Sequence, residues 1–210
     1  QILQKSQSGI NEEYSYLFTH PIPKERITDA RIREENIDNQ SNYRNSLEFY
    51  LVKARAEVAN SKNLSSLKEF YLSKQKNNDN KIKLYKKYGL SLVLKEQKKY
   101  EESFKAAREL LKEIPSNLIF QTNILEIHLA EGNSLEAISI GERLLNVNSN
   151  NFSISYYLAK AYILDNNPEK AEEILINLSK ENPRDPTVWY ELAEAQGLAG
   201  NIIGLHRSRA

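Results

Sequence analysis

The sequence predicts an all-α solenoid built from paired helices. From Leu84 onward the chain repeats itself at intervals of 34 residues. A leucine or isoleucine recurs at that interval, and small residues and turn positions recur with it. A helix that is apolar along one stripe cannot bury that stripe alone, so successive pairs must stack on one another. The recurring sets are Leu90, Ile124, Leu158 and Leu192, then Ser91, Leu125, Ala159 and Ala193, then Lys98, Gly132, Asn166 and Gly200, then Ser103, Ala137, Ala171 and Leu205.

A period of 34 residues is that of the tetratricopeptide repeat, whose helical hairpins form a right-handed superhelix with a concave face. Residues 41–83 are predicted to form a degenerate first pair, with helices at 47–59 and from 64 to about 75, because apolar residues recur there at three- and four-residue steps. The spacing of this pair departs from the period. The four regular units are predicted at 84–117, 118–151, 152–185 and 186–210, the last of them truncated.

Local signals agree with these boundaries. Asn63 is a candidate N-cap for the second helix of the first pair. An N-cap residue followed by proline is typical of a helix start, and a glycine after the last helical residue is typical of a tight turn. The N-cap and proline pairs are Asn167-Pro168 and Asp185-Pro186, and the turn glycines are Gly132 and Gly200.

The first 40 residues do not repeat. Residues 1–17 are polar with scattered apolar positions, and Pro21 and Pro23 forbid a helix across them. A helix from Pro23 to about Asp38 is predicted, because proline fits the first turn of a helix. Residues 36–45 are rich in Asn, Gln and Ser, so we place the domain boundary there.

Composition excludes several functional classes. The 29 Lys and Arg nearly balance the 28 Asp and Glu, and a net charge of +1 gives no global attraction to nucleic acid or anionic membrane. No run approaches the roughly 18 apolar residues of a membrane span. The absence of cysteine suits the periplasm and the cytosol equally. Because the chain starts at Gln1 and ends inside a predicted helix, we expect it to be part of a longer protein.

The first helices of the repeats are expected to line the concave groove. Tyrosine stands at three of the four corresponding fifth positions, which would give an amphipathic wall for an extended peptide or a partner helix. The alternative is that these rings fill gaps between units. Leu198, Ile202 and Leu205 of the last unit are expected to be exposed. The predicted groove residues are Tyr85, Tyr88, Lys95, Thr122, Glu126, Tyr156, Lys160, Tyr190 and Glu194.

A run of lysines precedes the first regular hairpin. Such a run could meet an acidic partner or a phosphate backbone, but it is more often the solvated face of a helix. The residues are Lys81, Lys83, Lys86, Lys87, Lys95, Lys98 and Lys99.

The sequence supplies no catalytic set. Its three histidines lie far apart, at positions 20, 128 and 206, without the His-Glu-x-x-His pair that places two zinc ligands on one helical face. There is no nucleophile elbow and no glycine-rich phosphate loop. We therefore expect neither catalytic nor metal-binding residues in this chain.

One stretch carries a more specific likeness. Thr19-His20-Pro21, with Arg26 and Ile27 shortly after it, resembles the end of an M48-type zinc metallopeptidase domain. Residues 29–31 and 48–55 continue the likeness. The resemblance extends over essentially the whole chain, but its specific motif lies only between about residues 16 and 55.

The resemblance implies that residues 1–40 are the C-terminal tail of a peptidase domain followed by a linker. It implies a parent protein that is a periplasmic zinc metalloendopeptidase acting in outer-membrane β-barrel protein assembly and quality control. Zinc would be bound by the parent and not by these residues. The repeats would bind the assembly machinery, its substrates and the parent's own peptidase domain, with no transmembrane segment. His20, Pro21 and Arg26 would lie at the edge of the peptidase domain in a structural role.

The competing hypothesis is a free-standing repeat adaptor or scaffold that binds a peptide or helix of another partner. A clamp for a C-terminal carboxylate is disfavoured. It needs Lys and Asn where Tyr88 and Leu92 stand, and Lys and Arg where Ser153 and Tyr157 stand. A hydrolase has no nucleophile or metal set behind it.

Overall fold

The protein is described by a computed structural model covering residues 45–73 and 79–209, which belong to one unit running from Asn45 to Ala210. Within these residues every regular element is a helix, so the predicted all-α class is confirmed. The elements expected before residue 45 lie outside the described residues. The helices are α1 (Leu47–Ala59), α2 (Leu64–Leu72), α3 (Asn80–Glu96), α4 (Tyr100–Glu113), α5 (Leu118–Glu131), α6 (Ser134–Val147), α7 (Phe152–Leu164), α8 (Pro168–Glu181), α9 (Pro186–Leu198) and α10 (Ile202–Ser208).

Polar caps set the start of the first helix of each unit. The side chains of Asn117, Asn151 and Asp185 each accept a hydrogen bond from a backbone N–H in the first turn of the helix that follows. Lys83 holds the corresponding position before the first regular unit and cannot cap in this way. Helix α3 therefore begins at Asn80, a turn earlier than the repeat register predicts, and Asp79 caps it by accepting from the Lys81 N–H at 2.9 Å.

The other predicted caps divide. Asn63 accepts from the Ser66 N–H at 3.0 Å, so it caps α2 as expected. Asn167 lies at the N-cap of α8, but its side chain makes no capping hydrogen bond, which corrects that prediction. Its backbone N–H instead donates to the carbonyl of Tyr162 at 2.9 Å, because the preceding turn is left-handed.

The turn between the two helices of each unit is left-handed at every repeat. The turn residues Lys98, Gly132, Asn166 and Gly200 have φ of 59°, 90°, 57° and 74°, as their shared interval predicts. Only glycine adopts this conformation without steric cost to a side chain. The Lys98 turn therefore carries a strain that the Gly132 turn does not.

We expect Lys98→Gly to raise the free energy of unfolding by about 0.5 to 1 kcal/mol, because it relieves the left-handed backbone strain. The matched control is Lys105→Gly, an exposed position inside α4, which should lower stability by about 1 kcal/mol. Urea denaturation of both variants measures the effect. Destabilisation by both substitutions would show that the turn at Lys98 is unstrained.

The helices form two layers. Each first helix contacts the next first helix, from α1 through α3, α5 and α7 to α9, and each second helix packs against the first helix that follows it. The small residues predicted at the close approaches are buried, including Ser91, Ala159 and Ala171. Apolar side chains between the layers form the core. Each pair thus buries its apolar stripe against its neighbours, as a solenoid requires.

The first pair departs from the later hairpins. Helices α1 and α2 each make their most extensive contact with α3 rather than with one another. The ring of Tyr71 in α2 lies directly on Gly89 of α3, where a Cβ would stand 2.2 Å from the nearest ring carbon. Glycine at this position is therefore required by packing.

We expect Gly89→Ala to lower the free energy of unfolding by about 2 kcal/mol, because the added methyl group forces Tyr71 out of its contact. Gly197→Ala in α9 is the control, since the nearest atom to its Cβ would be Leu205 Cδ2 at 3.9 Å. That change should stabilise by about 0.5 to 1 kcal/mol through helix propensity. Chemical denaturation measures both, and an equal rise in stability for the two variants would contradict the packing argument.

The last unit leaves apolar side chains exposed, as expected for Leu198 and Ile202. Ile203 is exposed as well, whereas Leu205 is partly buried.

Candidate functional site

The predicted groove residues differ in accessibility along the array. Tyr85 and Tyr88 of α3 are buried, which corrects the prediction that they line an open groove. Helix α1 covers both rings. Lys53 Nζ lies 5.5 Å from the centroid of Tyr85, and the Arg55 guanidinium lies 5.7 Å from that of Tyr88. The alternative interpretation, that such rings fill gaps between units, holds for these two residues.

The two buried tyrosines have different polar environments. The Tyr85 hydroxyl donates to Glu57 Oε2 at 2.5 Å, and the Tyr71 hydroxyl donates to the same oxygen at 2.7 Å. The Tyr88 ring packs on Phe120 with 5.8 Å between centroids, and its buried hydroxyl has no hydrogen-bond partner among the described residues. Tyr88 therefore contributes through packing alone.

Beside Tyr88 lies a buried ion cluster that joins three first helices. Glu126 of α5 receives both terminal nitrogens of Arg55 from α1, a residue 71 positions earlier, and Lys95 Nζ of α3 at 3.0 Å. Burial would raise the pKa of Glu126, but the charges of Arg55 and Lys95 outweigh it and hold that pKa below its ordinary value. Lys95 and Glu126, predicted as groove residues, are thus committed to this internal cluster.

Thr122, the remaining predicted residue of α5, is also buried, and its hydroxyl donates to the carbonyl of Leu118 at 2.8 Å. A small pocket of about 230 Å³ opens beside it. Arg55, Thr122 and Tyr157 are among the residues that line this pocket.

The next pair of predicted residues meets a carboxylate that sequence reasoning missed. In α7, the Tyr156 hydroxyl donates to Glu191 Oε1 at 2.9 Å, and Lys160 Nζ donates to the same oxygen at 2.6 Å. Glu191 itself is buried in α9. A step of 31 residues separates Lys160 from Glu191, and the same step separates Lys95 from Glu126. That shared spacing was the available signal.

Tyr190 and Glu194 of α9 are the predicted residues that remain open. The Tyr190 side chain is 71 % exposed, whereas Tyr88 at the corresponding position is 0 % exposed. Both lie in a cleft of about 670 Å³ between α9 and α10, which we call the terminal cleft. The terminal cleft is lined by Pro186, Trp189, Tyr190, Ala193, Glu194, Arg207, Ser208 and Arg209.

The lysine run is largely neutralised by its own hairpin. Lys83 Nζ lies 3.2 Å from a carboxylate oxygen of Glu113 in α4, and Lys87 Nζ lies 3.0 Å from one of Glu109. Lys86 Nζ donates to the carbonyl of Ser73 at 2.9 Å. These contacts favour a solvated, internally paired helix face over a site for an anionic partner.

No chemistry is assigned to the described residues. His20, Pro21 and Arg26 lie outside them. Across residues 45–73 and 79–209, no group of three or more His, Cys, Asp or Glu side chains comes together to hold a metal ion. In the same part of the chain, no helix has the length and apolar character needed to cross a membrane.

Comparison with known proteins agrees with the repeat architecture. The family model for the tetratricopeptide repeat matches residues 128–195. A solved tetratricopeptide repeat protein from Parabacteroides merdae superposes with a TM-score of 0.58 at 15% identity, covering 88% of this chain and 69% of that one. This likeness shows the fold, and the predicted tetratricopeptide-repeat solenoid is confirmed.

Two curated relatives are similar over most of the chain. The beta-barrel assembly-enhancing protease of Escherichia coli K12 is 29% identical over 187 residues, and that of Yersinia pestis is 28% identical over 184. Each match covers 88% of this chain and only 38% of the relative. The chain thus spans well under half the length of these relatives. It is a tetratricopeptide-repeat chain that resembles, along most of its length, a section of the beta-barrel assembly-enhancing proteases.

Proposed function

We propose that this chain is the protein-binding module of a periplasmic M48 zinc metalloprotease that acts in outer-membrane β-barrel protein assembly and quality control. The observation that carries the proposal is the similarity to two beta-barrel assembly-enhancing proteases over 88% of the chain. The module binds the assembly machinery or barrel substrates. The zinc and the peptide hydrolysis belong to another part of the parent protein, because the described residues supply no set of zinc ligands.

The geometry supports binding at the terminal cleft and not along the whole concave face. Tyr88, Thr122 and Glu126 are buried by contacts between first helices, so a partner cannot reach them. Tyr190 and Glu194 are exposed, and Trp189 adds a second aromatic ring to the same cleft. Aromatic side chains with a polar tip are well suited to protein interfaces, since they combine contact area with hydrogen bonding.

Site-specific photocrosslinking of the full-length protein in living cells tests the proposal. A photoreactive phenylalanine analogue at Tyr190 should form adducts with subunits of the barrel assembly machinery or with barrel substrates. The control places the analogue at Leu135, which is equally exposed but lies on α6. Adducts formed only with proteins outside barrel assembly would favour the adaptor hypothesis, and equal adducts at Leu135 would remove the role of the terminal cleft.

A further inference from the structure

The cleft between the two helices of a repeat is filled three times by the first helix of the next unit. Helix α5 fills the first, where Asn123 Nδ2 donates to Ser91 Oγ at 2.8 Å. Helix α7 fills the second, where Leu158 packs against Gly141 so closely that a Cβ there would stand 3.0 Å from Leu158 Cδ1. Helix α9 fills the third through Glu191. Each cleft of this kind is therefore shaped to hold a helix.

The terminal cleft is the fourth of the series. Its position in the repeat is the same, with α9 and α10 as its walls and the small residue Ala193 on its floor. It has a volume of about 670 Å³, and the ring of Tyr190 lies open to solvent at its edge. The three internal copies show what geometry an occupant takes.

Charge specifies the occupant further. In the third cleft, Lys160 of α7 donates to Glu191 of the incoming helix α9 at 2.6 Å. In the terminal cleft the position of Lys160 is taken by Glu194. The charge is therefore reversed, and an incoming helix in the same register needs a basic side chain where α9 carries Glu191.

We propose that the terminal cleft binds an amphipathic α-helix of a partner protein, in the place that the following first helix takes in the other three units, with a lysine or arginine against Glu194. The apolar face of this helix covers Ala193 and the rings of Trp189 and Tyr190. Arg207 and Arg209 on the α10 wall favour acidic residues on its far side. The inference rests on the proposed protein-binding function and names the chemistry of the partner.

The test uses two synthetic peptides that copy residues 184–200, since this segment contains the helix that fills the third cleft. Both carry Trp189→Phe, so that Trp189 of the chain, its only tryptophan, reports binding by fluorescence. The basic peptide also carries Glu191→Lys, and the acidic peptide keeps Glu191. Titrations extend to millimolar concentrations, because an isolated helix of this length is marginally stable.

We expect the basic peptide to bind at least about threefold more tightly than the acidic one, as for a partly exposed ion pair worth about 0.7 kcal/mol. With the Glu194→Lys variant of the chain, the preference should reverse. Tyr190→Ala should weaken the binding of both peptides. Circular dichroism checks that the variants keep their helical content.

Equal affinities for the two peptides, the same preference in the Glu194→Lys variant, or no binding by either peptide would overturn the inference. So would filling of the terminal cleft by the protein's own residues in the full-length protein. These results are distinct from failure of the proposed function, which is measured by crosslinking to barrel-assembly proteins. A chain that crosslinks to those proteins but ignores both peptides keeps its function and uses a different surface.

Discussion

Replacing Glu126 by glutamine is expected to lower the free energy of unfolding by about 2 to 3 kcal/mol. The substitution leaves Lys95 and Arg55 without the carboxylate that compensates both charges, and an uncompensated charge in a protein interior is costly. The loss is at the lower end of the range for buried pairs because the Arg55 side chain remains 36 % exposed and keeps contact with water. Urea denaturation at neutral pH measures the change.

The same substitution should flatten the dependence of stability on pH. The folded-state pKa of Glu126 is lowered, so its contribution is fully present above the unfolded-state pKa of about 4.3. That contribution is lost as the pH falls through the lowered pKa of the folded state. The difference in stability between the natural chain and Glu126→Gln should therefore shrink as the pH falls below about 4.3.

Glu109→Gln is the matched control for both measurements. Glu109 pairs with Lys87 at 3.0 Å, but its side chain is substantially exposed, so its removal should cost less than about 1 kcal/mol. Equal losses for Glu126→Gln and Glu109→Gln would show that the buried cluster contributes no more than a surface pair.

The second large effect is expected at Tyr88. Truncation to alanine should lower stability by about 3 to 5 kcal/mol, because it opens a cavity beneath α1 and beside Phe120. Tyr88→Phe should be neutral or slightly stabilising, since the buried hydroxyl makes no hydrogen bond within the described residues. Denaturant titration of the two variants separates the ring from the hydroxyl.

Tyr190→Ala is the comparison at the corresponding position of the last unit. It removes an exposed ring, so stability should change by less than about 0.5 kcal/mol while adducts and peptide binding at the terminal cleft decline. A large loss of stability for Tyr190→Ala, or a small one for Tyr88→Ala, would mean that the structure misplaces these two rings. Tyrosines that share one repeat position thus have opposite roles.

The zinc peptidase activity that we propose for the parent protein has a simple consequence for this chain. The described residues bring no ligand set together, so no variant within them is expected to abolish metal binding by the parent. Variants such as Tyr190→Ala act on partner binding. The distinction separates the roles of the two parts in any assay of the full-length protein.

Much of the fold follows from local sequence. The interval of 34 residues placed the helix pairs, and the structure has helices starting at Leu118, Phe152 and Pro186 in that register. The left-handed turn at Lys98 was predictable because its equivalents include Gly132, although lysine itself gives no such signal. The caps at Asn117 and its equivalents obey the same interval and were missed in the sequence analysis.

The sequence by itself determined the repeat period, the turns and the residue types at each repeat position, because these depend on backbone geometry and on contacts between adjacent units. Only the tertiary structure decided which of those positions are open. Helix α1 lies across α3 and covers Tyr85 and Tyr88, and Arg55 reaches Glu126 from 71 residues away. Such contacts depend on how helices are oriented when stacked, and a periodic pattern carries no information about that orientation.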